Sequence, residues 1–247
     1  MLGGRKGAAA RHFRFALDDK SAAIGGARAR YGKGRDMYQP PLFREERPEV
    51  MHDLMRAHPF ATLVMLEEGA LSANHIPLAI HPELSDKGVL RGHVSKGNPL
   101  WTKRDPSIEA LAIFQGPQHY VTPSWYPSKK AHGKVVPTWN YAVVHAYGTL
   151  ETYEDPSRLL AHLNELTNRN EVERPVPWEV SDAPDAFIAK QLKGIVGVEI
   201  TITRLEGKWK VSQNRDEKDR RGVTRGLVVE NDRDAVAMSD LVAQYSD

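Results

Sequence analysis

The chain has 247 residues, 40% of them hydrophobic, with 34 Lys and Arg against 32 Asp and Glu and a formal net charge of +2. It has no cysteine, which excludes disulfides, thiolate zinc sites and cysteine nucleophiles. No apolar run approaches the roughly 20 residues that span a bilayer, and the N-terminus lacks the apolar core of a secretory signal, so no membrane partner and a cytoplasmic location are expected.

Residues 1–36 hold nine Lys or Arg and three Asp, which leaves the remainder of the chain mildly acidic. They are rich in Gly, Ala and Arg, show no sustained period, and are expected to form a disordered basic extension. A nucleic-acid arm and a transit peptide are two readings of it, the second weakened by Asp18 and Asp19. A start at Met37 is favoured over both, because a globular pattern opens at Met37-Tyr38-Gln39-Pro40-Pro41.

A helix is predicted over Arg47–Ala57, with Pro48 in its first turn and Val50, Met51, Leu54 and Met55 on the buried side. His58-Pro59 ends it. Phe60–Leu66 is nearly all apolar and reads as a central strand. Ala73–Ile80 and Val89–Val94 are two more strands, with Pro77 marking an edge or a bulge. Ile108–Phe114 is another buried run. Val135–Tyr153 is a long strand in which Val143, His145, Tyr147 and Thr149 face one way and Val144, Ala146 and Gly148 the other.

Asp155 is the expected N-cap of a helix over Pro156–Arg169, with Leu159, Leu160, Leu163 and Leu166 inward. A second helix is predicted over Pro184–Leu192. Val196–Leu205 and Lys208–Ser212 read as a hairpin turning at Glu206-Gly207. The dense mixed charge of Gln213–Val223 reads as a solvated turn or helix face, and Arg233–Tyr245 as a last helix. Six or seven strands with short turns and peripheral helices indicate a mainly β fold, a barrel with added helices in one domain over residues 37–247.

Residues 113–150 carry two Trp-centred clusters, Thr122-Pro123-Ser124-Trp125-Tyr126 and Pro137-Thr138-Trp139-Asn140-Tyr141, joined by a basic loop with Lys129 and Lys130. Aromatic rings, hydroxyls, an amide and two lysines suit a flat aromatic ligand with an anionic tail. A strand pair with its own core and a solvated hairpin loop is the competing reading. Ser95 and Lys96 lie where a strand opens into a helical turn, which suits a phosphate, although an ordinary turn with a surface lysine explains the same residues. Asn74 and His75 set polar side chains at the start of an apolar strand.

His81, His93, His119, His132 and His145 show no metal-ligand spacing, and an axial haem ligand among them stays open. Walker and Rossmann phosphate loops are absent. No nucleophile–base–acid arrangement can be assembled from the spacing.

The chain resembles the PaiB family of FMN-binding negative transcriptional regulators through several segments in order. These include Met37-Tyr38-Gln39-Pro40-Pro41, Asn74-His75-Ile76-Pro77, Gly92-His93-Val94 with Asn98-Pro99, the two Trp clusters, His145-Ala146-Tyr147-Gly148, and Gly207-Lys208-Trp209-Lys210-Val211-Ser212-Gln213-Asn214-Arg215. The resemblance implies a split β-barrel related to flavin reductases and pyridoxamine-phosphate oxidases. It also implies a homodimer with FMN at the subunit interface and a role in repressing transcription.

Carried over residue by residue, Ser95 and Lys96 would meet the phosphate. Asn74, His75, His93 and Asn98 would border the flavin. Trp125, Tyr126, Lys129, Thr138, Trp139, Asn140, Asn214 and Arg215 would line the pocket or the dimer seam. An acidic core without a helix-turn-helix gives no support to direct DNA reading, so DNA and a regulatory protein both stay open as partners. The alternatives are an FMN-dependent NAD(P)H oxidoreductase, a haem-binding or haem-degrading barrel using His93 or His145, and a structural dimer with a vestigial pocket.

Overall fold

The computed structural model describes residues 36–230 and 232–246, so the expectation for residues 1–35 lies outside it. Helix α1 (Pro48–Ala57) opens on Pro48, where a missing N–H removes no bond. Its buried side is Met51, His52, Leu54 and Met55. The apolar three were predicted from helical spacing. His52 is accommodated because its Nε2 lies 3.0 Å from the Lys87 carbonyl.

The strands are β1 (Arg44–Glu45), β2 (Phe60–Glu67), β3 (Ala70–Pro77), β4 (Ala79–His81), β5 (Val89–Ser95), β6 (Ala110–Val121), β7 (Thr138–Tyr153) and β8 (Ile195–Lys210). They form one antiparallel sheet in the order β3-β2-β6-β7-β8-β5-β4, with β1 added on β8. Alternate residues such as Leu63, Phe114, Val144 and Ile200 point inward and form the core, which α1 joins.

The outer members of the sheet, β3 and β4, are separated in sequence by Leu78 alone. That single link brings the two rims together, and Asn98 Nδ2 donates to Asn74 Oδ1 at 2.7 Å across the seam. Pro77 is the last residue of β3, an outer strand of the sheet, so the edge rather than the bulge is the outcome.

Three predicted boundaries are corrected. β8 runs unbroken through Glu206 and Gly207, where a hairpin was expected. Gly207 is there for space: a Cβ would lie 2.8 Å from Met51 Sδ and 2.9 Å from the Trp209 ring. β6 continues past Phe114 to Val121 through a register shift between Gln115 and Gln118. The charged stretch after Gln213, expected as a solvated turn or helix face, does form a helix, α6 (Glu217–Glu230), but one that buries Asp219, Gly222 and Val223 rather than being solvated.

The other helices are α2 (Leu100–Lys103), α3 (Ser128–His132), α4 (Pro156–Glu171), α5 (Asp185–Leu192) and α7 (Arg233–Gln244). Asp155 caps α4 as expected, accepting from the Arg158 N–H at 2.8 Å. Of the leucines predicted inward on α4 only Leu159 is fully buried, and the helix's other buried side chain is His162.

Helices α6 and α7 pack on Val121, Tyr126 and Val211 as a second, smaller core that includes Val223, Leu227, Met238 and Val242. Gly222 and Gly226 let α6 rest on Trp125, since a Cβ at Gly222 would meet the Trp125 carbonyl oxygen at 2.1 Å. The end of α7 is tied to β1 by the buried Glu45, which accepts from Arg47 Nη2 at 2.7 Å and from the Tyr245 hydroxyl at 2.5 Å. Among the described residues no helix is long and apolar enough to cross a membrane, and no three His, Cys, Asp or Glu converge as a metal site.

Candidate functional site

The sequence-predicted residues gather in two groups. The first lies at the seam. Strand β5 turns Leu90, Gly92 and Val94 into the barrel and leaves Arg91 and His93 half-buried on the outer face. Beyond it the chain is held by its own hydrogen bonds. The Lys96 N–H donates to the Gly194 carbonyl and the Asn98 N–H to the Ser95 carbonyl, each at 2.9 Å. Asn98 Oδ1 accepts from the Leu100 N–H at 2.9 Å, and Ser95 Oγ from the Gly97 N–H at 3.2 Å.

A cavity of about 450 Å³ opens at this loop. Ile76, Val94 and Ile195 give it apolar walls, and His93, Ser95, Asn98 and Gln191 give it polar ones. Lys96, the next residue after Ser95, is paired with Glu154 and with it lines a neighbouring cavity that shares Ile195. Asn74 faces inward and holds the seam, whereas His75 is exposed and stacks on Phe60 at 6.4 Å between ring centroids.

Beneath the cavity, α4 covers the outer face of the sheet. His93 Nδ1 lies 3.1 Å from Nε2 of His162. Burial pushes both imidazoles down; His162, which also feels His93, His81 and Arg91, falls to about 4. Nearby, Glu199 accepts from Arg91 Nε at 2.7 Å and from Arg158. The Arg158 guanidinium sits 3.9 Å from the Tyr153 ring centroid. Tyr153 lies across Gly197, where any Cβ would come within 2.2 Å of the ring.

The second group lies where β7 begins and β8 ends. Asn140 is fully buried, donates from Nδ2 to Ser212 Oγ at 2.9 Å, and leaves Oδ1 without a partner. Ser212 adopts a left-handed φ of 70°, a strained conformation for this residue type. The Arg215 guanidinium stacks 4.6 Å from the Tyr126 ring centroid, and burial pushes the Tyr126 phenol up. Lys210 Nζ donates to Thr138 Oγ1 at 2.5 Å and to the Trp139 carbonyl at 2.6 Å. Burial, with the Lys208 and Arg215 charges, pushes this ammonium down.

Trp125 is half-buried against α6. Trp139, Asn214 and Lys129 are exposed, with Lys129 Nζ donating to Ser124 Oγ at 3.1 Å.

The two groups sit at opposite ends of β8. His93 and Ser95 pair with Gly197 and Ile195 at its start, and Lys210 ends it. At about 3.3 Å per residue, the strand between them has a contour of roughly 50 Å. That contour is an upper limit on their separation, since a strand coils with the sheet it belongs to.

Sequence reasoning missed His162, Tyr153 and Lys210. The one available signal for His162 was its place three residues after Leu159 on the inward face of α4.

A family model described as "Putative FMN-binding domain" matches residues 37–204. An uncharacterized protein of Emericella nidulans is 37% identical over 226 residues, covering 77% of this chain and 90% of that protein. The Bacillus subtilis "Protease synthase and sporulation protein PAI 2" is 33% identical over 208 residues, covering 83% of this chain and 96% of that one. Among solved structures, the "FAD and Heme binding protein" of Mycobacterium smegmatis aligns with a TM-score of 0.50 at 17% identity, over 68% of this chain and 73% of that chain. This last likeness is one of fold, the antiparallel split barrel.

Proposed function

Because the chain belongs to the family of FMN-binding domains represented by that model, with FMN as its cofactor, we propose that it is a homodimer of the PaiB type holding FMN at composite sites and acting as a negative regulator of transcription. One observation carries the reading: the ligand-suited groups lie at opposite ends of β8, so the first group of one copy and the second group of its partner together would complete each pocket. A two-fold axis provides that juxtaposition twice with one interface. The outward sheet face supports it, with half-buried Val64, Leu111, Ile113 and Val143 beside exposed Leu71 and Trp139.

The seam residues fit the cofactor. The cavity of about 450 Å³ lies within the roughly 300–1,000 Å³ range of small-ligand sites. Ser95 offers a hydroxyl and Lys96 a cation to the phosphate, with Lys96 exchanging Glu154 for it. Ile76 and Ile195 wall the apolar ring system. Asn140 Oδ1 and the Tyr126 hydroxyl are buried without partners and would orient the ring edge from the partner's side. Bound FMN supplies reversible redox chemistry; the residues bind it, orient it and exclude water. Repression then runs through a partner protein that senses flavin state, in keeping with the mildly acidic balance of residues 37–247.

The test is the visible absorption spectrum of the purified chain and its titration with FMN. A bound-flavin spectrum in a dimer is expected. Lys96→Ala is expected to weaken binding by about 1.5–3 kcal/mol, the range for a hydrogen bond to a charged group. Unchanged affinity removes Lys96 from the site, and stoichiometric FMN on a monomer removes the composite pocket. NAD(P)H turnover above that of free FMN would replace the regulator with an oxidoreductase.

A further inference from the structure

Helix α4 and the outer face of the sheet enclose a polar compartment. It holds His81 from β4, Arg91 and His93 from β5, Tyr153 from β7, Glu199 from β8, and Arg158, His162 and Glu165 from α4. Most of its charge is matched within it. Glu199 accepts from Arg91 and Arg158, and His81 lies 3.4 Å from both Glu83 and Glu165. The His93–His162 pair and the Tyr153 hydroxyl, which is buried without a partner, are left over.

His162 is 4% exposed, and its Nδ1 is buried without a hydrogen-bond partner. His93 uses Nδ1 on His162 and is one of the residues lining the seam cavity, and its Nε2 is not among the buried atoms left without a partner.

Two neutral imidazoles joined by one hydrogen bond share one proton between them, and there are two arrangements. In the first, His93 Nδ1–H donates. The proton of His162 then sits on Nδ1, as a buried N–H with no acceptor, on a ring that also feels the Arg91 charge. In the second, His162 Nε2–H donates. Its Nδ1 is then a lone pair, and His93 carries its own proton on Nε2. Orphaned buried N–H groups are the rarer defect in folded proteins, and a positive neighbour favours a lone pair over an N–H. Both considerations select the second arrangement.

We propose that His162 is a positioning residue that fixes His93 as its Nε2–H tautomer, so that His93 presents a neutral N–H donor to an oxyanion of a phosphate monoester in the seam cavity. The identity of that ligand rests on the flavin reading; the tautomer is a property of the protein without ligand. A neutral donor accepts phosphate without placing a further charge beside Arg91 and Arg158.

The tautomer is read by two-bond proton–nitrogen correlation spectra of the full chain with labelled histidine at neutral pH, using His93→Asn to assign the signal. His93 is expected as Nε2–H, with the signal moving on titration with inorganic phosphate and with FMN. His162→Phe, which has no donor, should give mixed tautomers and roughly fivefold weaker FMN binding. His162→Gln, which restores a donor near the Nε2 position, should recover both. A wild-type His93 carrying its proton on Nδ1 overturns the proposal, as does a tautomer unchanged by His162→Phe. If that variant fails to fold, the wild-type spectrum still decides. An Nε2–H signal in a protein that takes up no FMN would remove the flavin reading and leave the tautomer standing.

Discussion

Replacing Gly222 by alanine lowers the stability of the protein by about 1–3 kcal/mol, the usual cost of overpacking a closed contact. In an exposed helix the same substitution would gain up to about 1 kcal/mol, because glycine is a poor helix former. The sign reverses here because α6 rests on backbone. A Cβ at Gly222 would stand 2.1 Å from the Trp125 carbonyl oxygen and 3.1 Å from Pro127 Cδ. One turn later, Gly226 leaves a Cβ only 2.3 Å from the Trp125 indole. No rotamer change relieves a clash with a carbonyl, so the helix must lift. Lifting it loosens the bonds from Ser128 to Asp219, at 3.1 Å from N–H and 2.6 Å from Oγ. Urea unfolding followed by near-ultraviolet circular dichroism checks the prediction. Gly97→Ala is the control, because its Cβ would meet only Ser95 Oγ at 3.7 Å. Equal midpoints for the two variants would mean that α6 does not seat on Trp125.

Acidification is expected to destabilise the protein in two steps. The first belongs to His162, which ionises near 6.5 when unfolded and about 4 when folded. Between those values the unfolded chain holds a proton that the folded chain does not, so stability is full above pH 6.5 and is lost as the pH falls through 4. Burial, then the His93, His81 and Arg91 charges, is the cause. A shift of this size is worth about 3 kcal/mol as an upper value. His58, His93 and His145 are also held down, chiefly by burial, and act in the same direction.

The second step belongs to Glu45. Burial alone would raise it, but hydrogen bonds from Arg47 and Tyr245 and the Arg47 charge outweigh burial and lower it from 4.5 to about 2. Its contribution is full above pH 4.5 and disappears as the pH falls through 2. Unfolding free energy measured against pH should show both limbs. His162→Leu should flatten part of the upper limb and spare the lower, and Glu45→Gln should do the reverse. An upper limb of unchanged slope in His162→Leu would place the proton uptake on other histidines.

Where local chemistry decides an element, the sequence was a good guide. Pro48 and Asp155 start their helices where expected, because a proline at a first turn and a carboxylate cap act on their own neighbours. The alternation also matches across residues 143–146, with Val144 and Ala146 buried and Val143 and His145 half-buried; it ends at Tyr147 and Gly148, both buried, where the pairing with β8 shifts register. The failures arise where distant packing overrides a local sign. Glu206-Gly207 has the composition of a turn, yet Met51 and Trp209 need the space over Gly207 inside a strand. The charged run after Gln213 is a helix, one of the two forms expected, but not a solvated one: its inward stripe begins with Asp219, Gly222 and Val223, too small and polar to register as a hydrophobic period. In the site, the motif residues were legible as motifs. Their division between the two ends of β8 was not, because it depends on which strands pair. The partnership of His93 with His162 spans 69 positions, and no spacing rule reaches that far.

Strand β8 pairs with β1, β5 and β7, and this has a consequence for the birth of the protein on the ribosome. The first two of those partners are made long before β8 itself. From Ser95 to Lys210 the ribosome must add more than a hundred residues, which takes roughly 6–23 s at about 5–20 residues per second. During that interval the nascent chain carries β5 with one edge unfilled, and β7 joins it with another. Slow translation before residue 195, or a truncated message ending there, leaves sticky open edges rather than a smaller stable barrel. The growing chain is therefore most in need of a chaperone late in synthesis, just before its last long strand emerges.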